Sequence, residues 1–458
     1  MILKTPIIPT KSTFFGKKST LDYKAICVFV ATGFFLDQDT YYTEQKVLKP
    51  GYDYEIDEVS KEIISEKPYF KWHYTPRDRT LSQITSEFAV LFETIIKEQI
   101  SDKKVILPLS GGLDSRTQAV ALHHLGAHVK SYSYSFFNGL NETLYARKIA
   151  KKCNFLFQDW KVKPNYLWRK IEKLAKINNC YSEFTHPRQM AFVDEYKDLG
   201  EIFSLGHWGD VLFDDMGVDN DLPCEAQIQM ILKKIIKNGG LELAESLWKT
   251  WQIEGDFMLY LSDRIKKLLN EINIPNNANA QIRAFKSKFW ATRWTNTNLS
   301  IFESVRPISV PYFDNRMCEF ICSVPEKYLS GRQIQIEYIK MRMPEIAKIT
   351  WQDHRPFNLY NYKWNRIPYN LPYRIFNKLI RIISNKKYIQ RNWEIQFLGS
   401  ENDVELQKRL FDNDFFSKLI PKDVVQTFYN DFKNKDEVYF SHSVSMLLTL
   451  SLFSKNNL

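Results

Sequence analysis

Cysteine is scarce: six in 458 residues, at positions 27, 153, 180, 224, 318 and 322, with no Cys-x-x-Cys spacing. That pattern excludes a zinc ribbon and offers no disulfide framework. Cys318 and Cys322 lie one helical turn apart and read as buried core thiols. No window of about 18 apolar residues occurs, so no membrane-spanning helix is expected. Met1–Lys18 holds no apolar core long enough for a signal peptide, which points to the cytoplasm. The Walker pattern Gly-x-x-x-x-Gly-Lys-[Ser/Thr] is absent; Gly16-Lys17-Lys18-Ser19 lacks the upstream glycine and the correct order. His123, His124 and His128 have no acidic or cysteine neighbours that would mark a metal site, and no internal repeat or low-complexity tract is evident.

The length suits two or three domains with a large core. Aromatic residues make up 15%, and a net charge of +10 favours anionic partners without naming one. The organising stretch is Val105-Ile-Leu-Pro-Leu-Ser-Gly-Gly-Leu-Asp-Ser-Arg-Thr117. A short apolar run passes through two glycines into a helical pattern, which is a strand, a turn and a helix start. Adjacent glycines turn tightly and present several N–H groups, and the helix adds its positive end, so the turn suits phosphate. Asp114 sits inside that turn. A carboxylate facing phosphates makes sense when Mg²⁺ lies between them.

Upstream, the first 20 residues are polar, basic and unpatterned, and are expected to be loosely held. Lys24–Phe35 reads as strand or short helix. Thr40–Glu55 alternates like a hairpin with Lys49-Pro50-Gly51 as its turn, and Tyr69–Pro76 is an extended aromatic piece. Residues 1–78 thus form a small β-rich segment. Leu81–Gln99 has helical spacing. Strands are then expected at Val105–Leu109, His128–Phe136, Phe155–Val162 and Glu201–Gly206. They alternate with helices at Ser115–Leu125 (closed by Gly126), Asn141–Lys152 (capped by Asn141) and Tyr166–Ile177. This alternation predicts an α/β fold with a doubly wound parallel sheet, whose ligands bind beyond the carboxyl ends of the strands. The α/β core spans about 79–220. Residues 221–458 are mainly helical, with helices at Gln227–Ile236, Leu241–Trp251, Phe257–Ile272, Arg316–Ser323, Gln333–Arg342 and an apolar Ser441–Ser454. Phe357–Trp393 carries eight Lys/Arg and no Asp/Glu. Within it, Tyr373–Lys387 reads as a basic amphipathic helix, either a surface helix or linker, or a weak membrane-surface contact.

Two turns carry the chemistry: Ser110, Gly111, Gly112, Asp114 and Ser115 in one, and Gly206 and Asp210 in the other, followed by Leu212-Phe-Asp-Asp215. Two carboxylates from separate strand ends can hold Mg²⁺ on a triphosphate, while the serines and glycine N–H groups hold departing pyrophosphate. Asp210 also has a capping reading, as does Asp314, and Arg116 reads as a surface or phosphate-steering residue.

Ser110-Gly-Gly-Leu-Asp-Ser115 resembles the pyrophosphate loop of the N-type ATP pyrophosphatases (the PP-loop superfamily), and the chain is most similar there to asparagine synthetases. Gly206-x-x-x-Asp210-x-x-Phe213 resembles the second motif and Pro311-Tyr-Phe-Asp314 the later Pro-Phe-Leu-Asp. Glu303 and Arg306 stand for Glu-x-Arg, and Pro325, Lys340 and Pro344 follow at familiar distances. Leu48-Lys-Pro-Gly51 and Trp72–Pro76 resemble the end of the amidotransferase domain and its linker. The resemblance implies an adenine nucleotide alpha hydrolase-like fold, preceded by a truncated amidotransferase-like segment over 1–78, with the synthetase domain over 79–458. It implies ATP and Mg²⁺ as cofactors. Leu109, Ser110, Gly111, Gly112, Asp114, Ser115, Ser133 and Gly206 would bind nucleotide, Asp114 and Asp210 the metal, and Asp114, Asp210, Lys340 and Arg355 would be catalytic.

The chain departs from the family in three regions. Position 2 is Ile2 where glutamine-dependent members expose cysteine, so no glutamine hydrolysis is expected. His207 stands where glutamate is common and Val211 where a second acid follows, which puts aspartate as substrate in doubt. The family's Arg-x-Lys is missing: Thr350 and Gln352 lie near those positions, with Lys348, His354 or Arg355 as replacements by geometry. The expectation is a ligase that adenylates a small-molecule carboxylate, releases pyrophosphate and forms an amide. Its nitrogen would come from ammonia, an amine or a separate amidotransferase subunit. A nucleotide-binding regulator or partner subunit and a tRNA-modifying enzyme are the alternatives, although no recognisable RNA module is present.

Overall fold

The structure, a computed structural model, describes residues 2–58, 62–139, 143–384 and 388–457. The expected Asn141 cap and Lys386–Lys387 of the basic helix lie outside them. The N-terminal strands are β1 (Ile2–Lys4), β2 (Phe14–Phe15), β3 (Lys46–Val47), β4 (Tyr52–Ile56) and β5 (Ile63–Pro68). They are followed by β6 (Val105–Pro108), β7 (Val129–Phe136), β8 (Leu156–Val162), β9 (Ile202–Ser204) and β10 (Ile308–Ser309).

Strands β6 to β10 form one all-parallel sheet in the order β10-β9-β6-β7-β8. β6 is central because Val105, Ile106 and Leu107 are apolar on both faces and fully buried, as a strand covered on both sides requires. Helix Leu81–Ile100 leads into it. Thr80 starts that helix by accepting from the Gln83 amide, while the Gln83 side chain accepts from the Thr80 amide, so two orphan donors are satisfied reciprocally. Its apolar stripe, Ile84, Phe88, Phe92, Ile95 and Ile96, is buried. Phe88 meets Phe213 and Tyr338 edge-on, so the stripe packs beside the second turn and the helix Gln333–Arg342.

The N-terminal residues are held, contrary to expectation. Ile7 and Ile8 are buried, the Ile7 amide donates to Asn315 Oδ1, and β1 pairs antiparallel with β4. Lys24–Phe35 resolves to a helix, Tyr23–Thr32, capped by Asp22 and closed by left-handed Gly33. The expected hairpin over Thr40–Glu55 does not form. β3 pairs with β2, whereas β4 lies between β1 and β5, so the Lys49–Gly51 turn leads from one sheet into another. Alternation reported strand content correctly but could not choose the partner. Tyr41 ties this segment to the core, stacking on Phe453 at 3.6 Å and donating to the Cys180 carbonyl.

The C-terminal part is helical as expected, and helix Glu437–Asn457 buries Ser441 and residues 443–454. Helix Ala278–Phe285 runs into a π-helical stretch, Lys286–Thr295, before helix Asn296–Glu303. Wide helical turns of this kind re-aim side chains and gather at functional sites. Among the described residues, no helix is long and apolar enough to cross a membrane.

Candidate active site

The carboxyl ends of β6, β7 and β9 open into a cavity of about 590 Å³. β6 delivers the first turn. The Ser110 and Ser115 hydroxyls lie 2.9 Å apart, the Ser110 amide donates to Ser115 Oγ, and the Gly112 amide reaches Ser110 Oγ at 3.2 Å. Helix Leu113–His124 starts at Gly112 without a side-chain cap, leaving its positive end open to an anion. One expected donor is occupied: the Gly111 N–H is taken by Gln352 Oε1 at 3.1 Å. A Cβ at Gly111 would stand 2.6 Å from that oxygen, so this approach requires glycine.

Arg116 is neither exposed nor phosphate-steering. It is fully buried and donates to the carbonyls of Gly111, Ile349 and Thr350. It clamps the turn to the segment that carries Gln352, and burial lowers its pKa to about 10.

β9 delivers the second turn. Trp208 adopts a left-handed conformation (φ 78°) and donates its indole N–H to Ser287 Oγ at 3.1 Å. A one-turn helix, Gly209–Leu212, then presents Asp210. A Cβ at Gly209 would collide with Asp114 Oδ1, so the two glycine–aspartate turns interlock. Asp114 Oδ1 accepts from Arg332 and from Gln335 Nε2. Burial pushes this carboxyl up to about 6, Arg332 opposes the rise, and the charge of Asp210 adds to it. Gln335 also donates to the Tyr312 hydroxyl at 2.7 Å. Lys286, over the rings of Trp208 and Trp290, is lowered to about 8 by burial, which the charge of Asp210 opposes.

Of the residues expected from sequence, Leu109, Ser110, Gly112, Asp114, Ser115, Ser133, Gly206 and Asp210 line the cavity, and Gly111 borders it through Gln352. Lys340 and Arg355 are not among the lining residues. Lys340 pairs with Glu337 at 2.8 Å and Arg355 precedes a cis proline. Lys348 pairs with Glu345, and His354 packs on Trp351. Gln352 and Asp353 reach the cavity from that segment instead. Asp314 caps helix Asn315–Cys322. Sequence reading missed Arg332, Gln335, Arg188, Trp294, Thr295 and Phe302, which no local motif marks.

Two buried polar atoms at the cavity lack partners, His207 Nδ1 and Thr295 Oγ1. Burial holds the His207 imidazole at about 4, hence neutral at pH 7. Groups of this kind cost energy unless a ligand or water meets them.

The donor set fits magnesium on a nucleotide, though not magnesium alone. Among the described residues no three His, Cys, Asp or Glu side chains cluster for a metal. Two carboxylates supplemented by phosphate oxygens and water suit this ion, and Asp210, exposed to the cavity, is the more available of the two.

Residues 87–193 match the family model for asparagine synthase. That stretch is similar to part of an asparagine synthase domain. The asparagine synthase match covers the first turn and strands β6 to β8, and ends before the second turn and Arg332. Two solved structures are similar: NMN synthetase from Francisella tularensis (14% identity, TM-score 0.23, 43% of this chain and 96% of that one), and the U34-tRNA thiolase NcsA from Methanococcus maripaludis with its [4Fe-4S] cluster (12%, TM-score 0.21, 44% and 78%). No curated protein matches. The asparagine synthase-like segment supports an ATP-using enzyme in general.

Proposed function

We propose that the chain is an ATP-dependent ligase that adenylates a substrate carboxylate and converts it to an amide. The observation that carries this reading is the interlock of the two turns, which sets Asp114 and Asp210 in one cavity at the head of an uncapped helix. A substrate carboxylate oxygen attacks the α-phosphorus of ATP, and the bond to the β-phosphate oxygen breaks. The Ser110 and Ser115 hydroxyls, with the free helix end, receive the pyrophosphate and stabilise the charge that develops on it. Ammonia or an amine then attacks the acyl carbon and AMP leaves. Asp114 and Asp210 would hold magnesium, which would screen the phosphate charge. Arg332 keeps Asp114 ionised despite its burial.

The remaining wall favours a ring-bearing carboxylate without an ammonium group. Trp294, Phe302, Trp208 and Tyr134 supply flat apolar faces, and neutral His207 and Thr295 supply unpartnered polar atoms. The test is carboxylate-dependent exchange of labelled pyrophosphate into ATP by the purified chain. Exchange that stays at background with every carboxylate, alongside tight ATP binding, would favour the second reading, a nucleotide-binding regulator. One observation supports that second reading: Arg332 and Gln335 already occupy Asp114 Oδ1.

A further inference from the structure

We propose that residues 360–379 dock this protein on the surface of an anionic lipid bilayer. Exposed large apolar side chains concentrate there. Tyr360, Trp364, Ile367 and Tyr369 in the loop, and Leu371, Ile375, Phe376 and Leu379 on the helix Leu371–Ser384, are each 43–66% exposed. On that helix, Leu371, Ile375 and Leu379 recur every four residues and form one stripe. Arg374 and Lys378, both exposed, fall on the neighbouring stripe. Isolated exposed apolar residues are ordinary, but a contiguous set on an amphipathic helix marks an interaction surface.

Charge chooses the occupant. Residues 357–393 contain eight Lys/Arg and no Asp/Glu, and Lys363, Arg366, Arg374 and Lys378 are all exposed. A polar face that is cationic throughout, beside an aliphatic face flanked by Trp and Tyr, is the composition of a helix lying in a headgroup layer. A protein partner with a surface of mixed sign would leave several of these cations without a matching acidic group. A nucleic acid would use the cations and rings and leave Leu371, Ile375 and Leu379 in water. The same segment supplies Gln352 and Asp353 to the cavity shortly before the helix begins, so docking would bring one wall of the site near the bilayer.

The test is co-sedimentation of the full chain with vesicles of phosphatidylcholine alone or with about one-third phosphatidylglycerol. Binding to the anionic vesicles is expected to exceed binding to neutral ones by about tenfold or more, since each cation near the surface contributes roughly fivefold. Ile375→Asp/Phe376→Asp should reduce binding by about tenfold or more, because two apolar side chains are withdrawn from the interface. Both positions are exposed, so circular dichroism should be unchanged. Arg374→Glu/Lys378→Glu should weaken binding at low salt and matter less at high salt. Absence of vesicle binding, or full binding by the Ile375/Phe376 variant, overturns the proposal. So does a wild-type dimer in size-exclusion chromatography that this variant makes monomeric, or retention of the wild type by polyuridylate but not by vesicles.

Discussion

Arg332 and Asp114, 218 residues apart in the chain, form an ion pair beneath the interlocked turns. Arg332 holds left-handed backbone (φ 60°) between two helices, and its Nε donates to Gln335 Oε1. The pair decides how the site stays charged. Asp114 sits in a position that disfavours its carboxylate, and a buried guanidinium is the group that opposes this. Removing Arg332 would leave the Asp114 charge uncompensated, whereas Arg332 keeps the nearby charges of Asp210 and Asp214 when Asp114 is neutral.

Asp114→Asn is expected to stabilise the fold at neutral pH while abolishing pyrophosphate exchange. The carboxyl titrates at about 6 in the folded chain against an ordinary 3.8, so the folded state binds the proton more tightly. Folding therefore loses stability as pH rises through 4 to 6, and the full penalty persists above that range. Asparagine keeps an acceptor for Arg332 and Gln335 and carries no charge to desolvate. Thermal unfolding at pH 7.5 should show a gain of about 1–3 kcal/mol, reduced by the charge left on Arg332. Below about pH 4 the gain should shrink. A variant less stable than wild type at pH 7.5 contradicts this.

Asp210→Ala should leave stability unchanged to within about 0.5 kcal/mol, because the side chain is exposed to the cavity. Exchange should nevertheless fall by at least about a hundredfold. Retained exchange would remove Asp210 from the metal role, and a large loss of stability would instead mark it as a cap.

Four of the five strands of the sheet were legible in the sequence because they are bounded by turn residues and alternate with helices that keep a 3.6 period; β10, two residues long, was not. The first turn was legible because Gly111, Gly112 and Asp114 are local to one another. Arg332 and Gln335 were not, because their function exists only once the chain folds them against a residue more than 200 positions away. The hairpin at Thr40–Glu55 failed for the same reason: strand character is local, but partnership is not. Lys340 and Arg355 were placed by spacing from family motifs, and the turn after Pro344 sends Gln352 to the cavity instead.

Arg116→Met tests the clamp. Three buried carbonyls, those of Gly111, Ile349 and Thr350, would lose their donor. Urea unfolding should show a loss of about 2–4 kcal/mol, since charged buried bonds are each worth more than neutral ones. ATP affinity should weaken as well, because the turn and the Gln352 segment would no longer be fixed together. Unchanged stability would mean that the turn is held by Ser110 and Ser115 alone.

A matched pair of probes tests the substrate wall, 3-(4-hydroxyphenyl)propionate against L-tyrosine, which differ by one ammonium group. The carboxylates lining the cavity are Asp114, paired with Arg332; Asp353, which accepts from the Trp351 indole at 3.2 Å; and Asp210, which the proposed reaction assigns to the nucleotide side. The wall made by Trp294, Thr295, Phe302 and His207 carries no acid. An ammonium placed there would be desolvated with only the ring faces and the charge of Asp210 to offset a cost of several kcal/mol. A phenol ring can lie on the aromatic faces, and a small opening of the wall would bring its hydroxyl to Thr295 Oγ1 or His207 Nδ1, both buried and unpartnered. Pyrophosphate exchange should therefore run at least about tenfold faster with the propionate than with tyrosine or aspartate. Thr295→Val should narrow that advantage without altering ATP affinity. Exchange supported equally by tyrosine or aspartate would leave the ligase reading standing and sink the substrate class. Binding of the propionate without exchange would do the reverse.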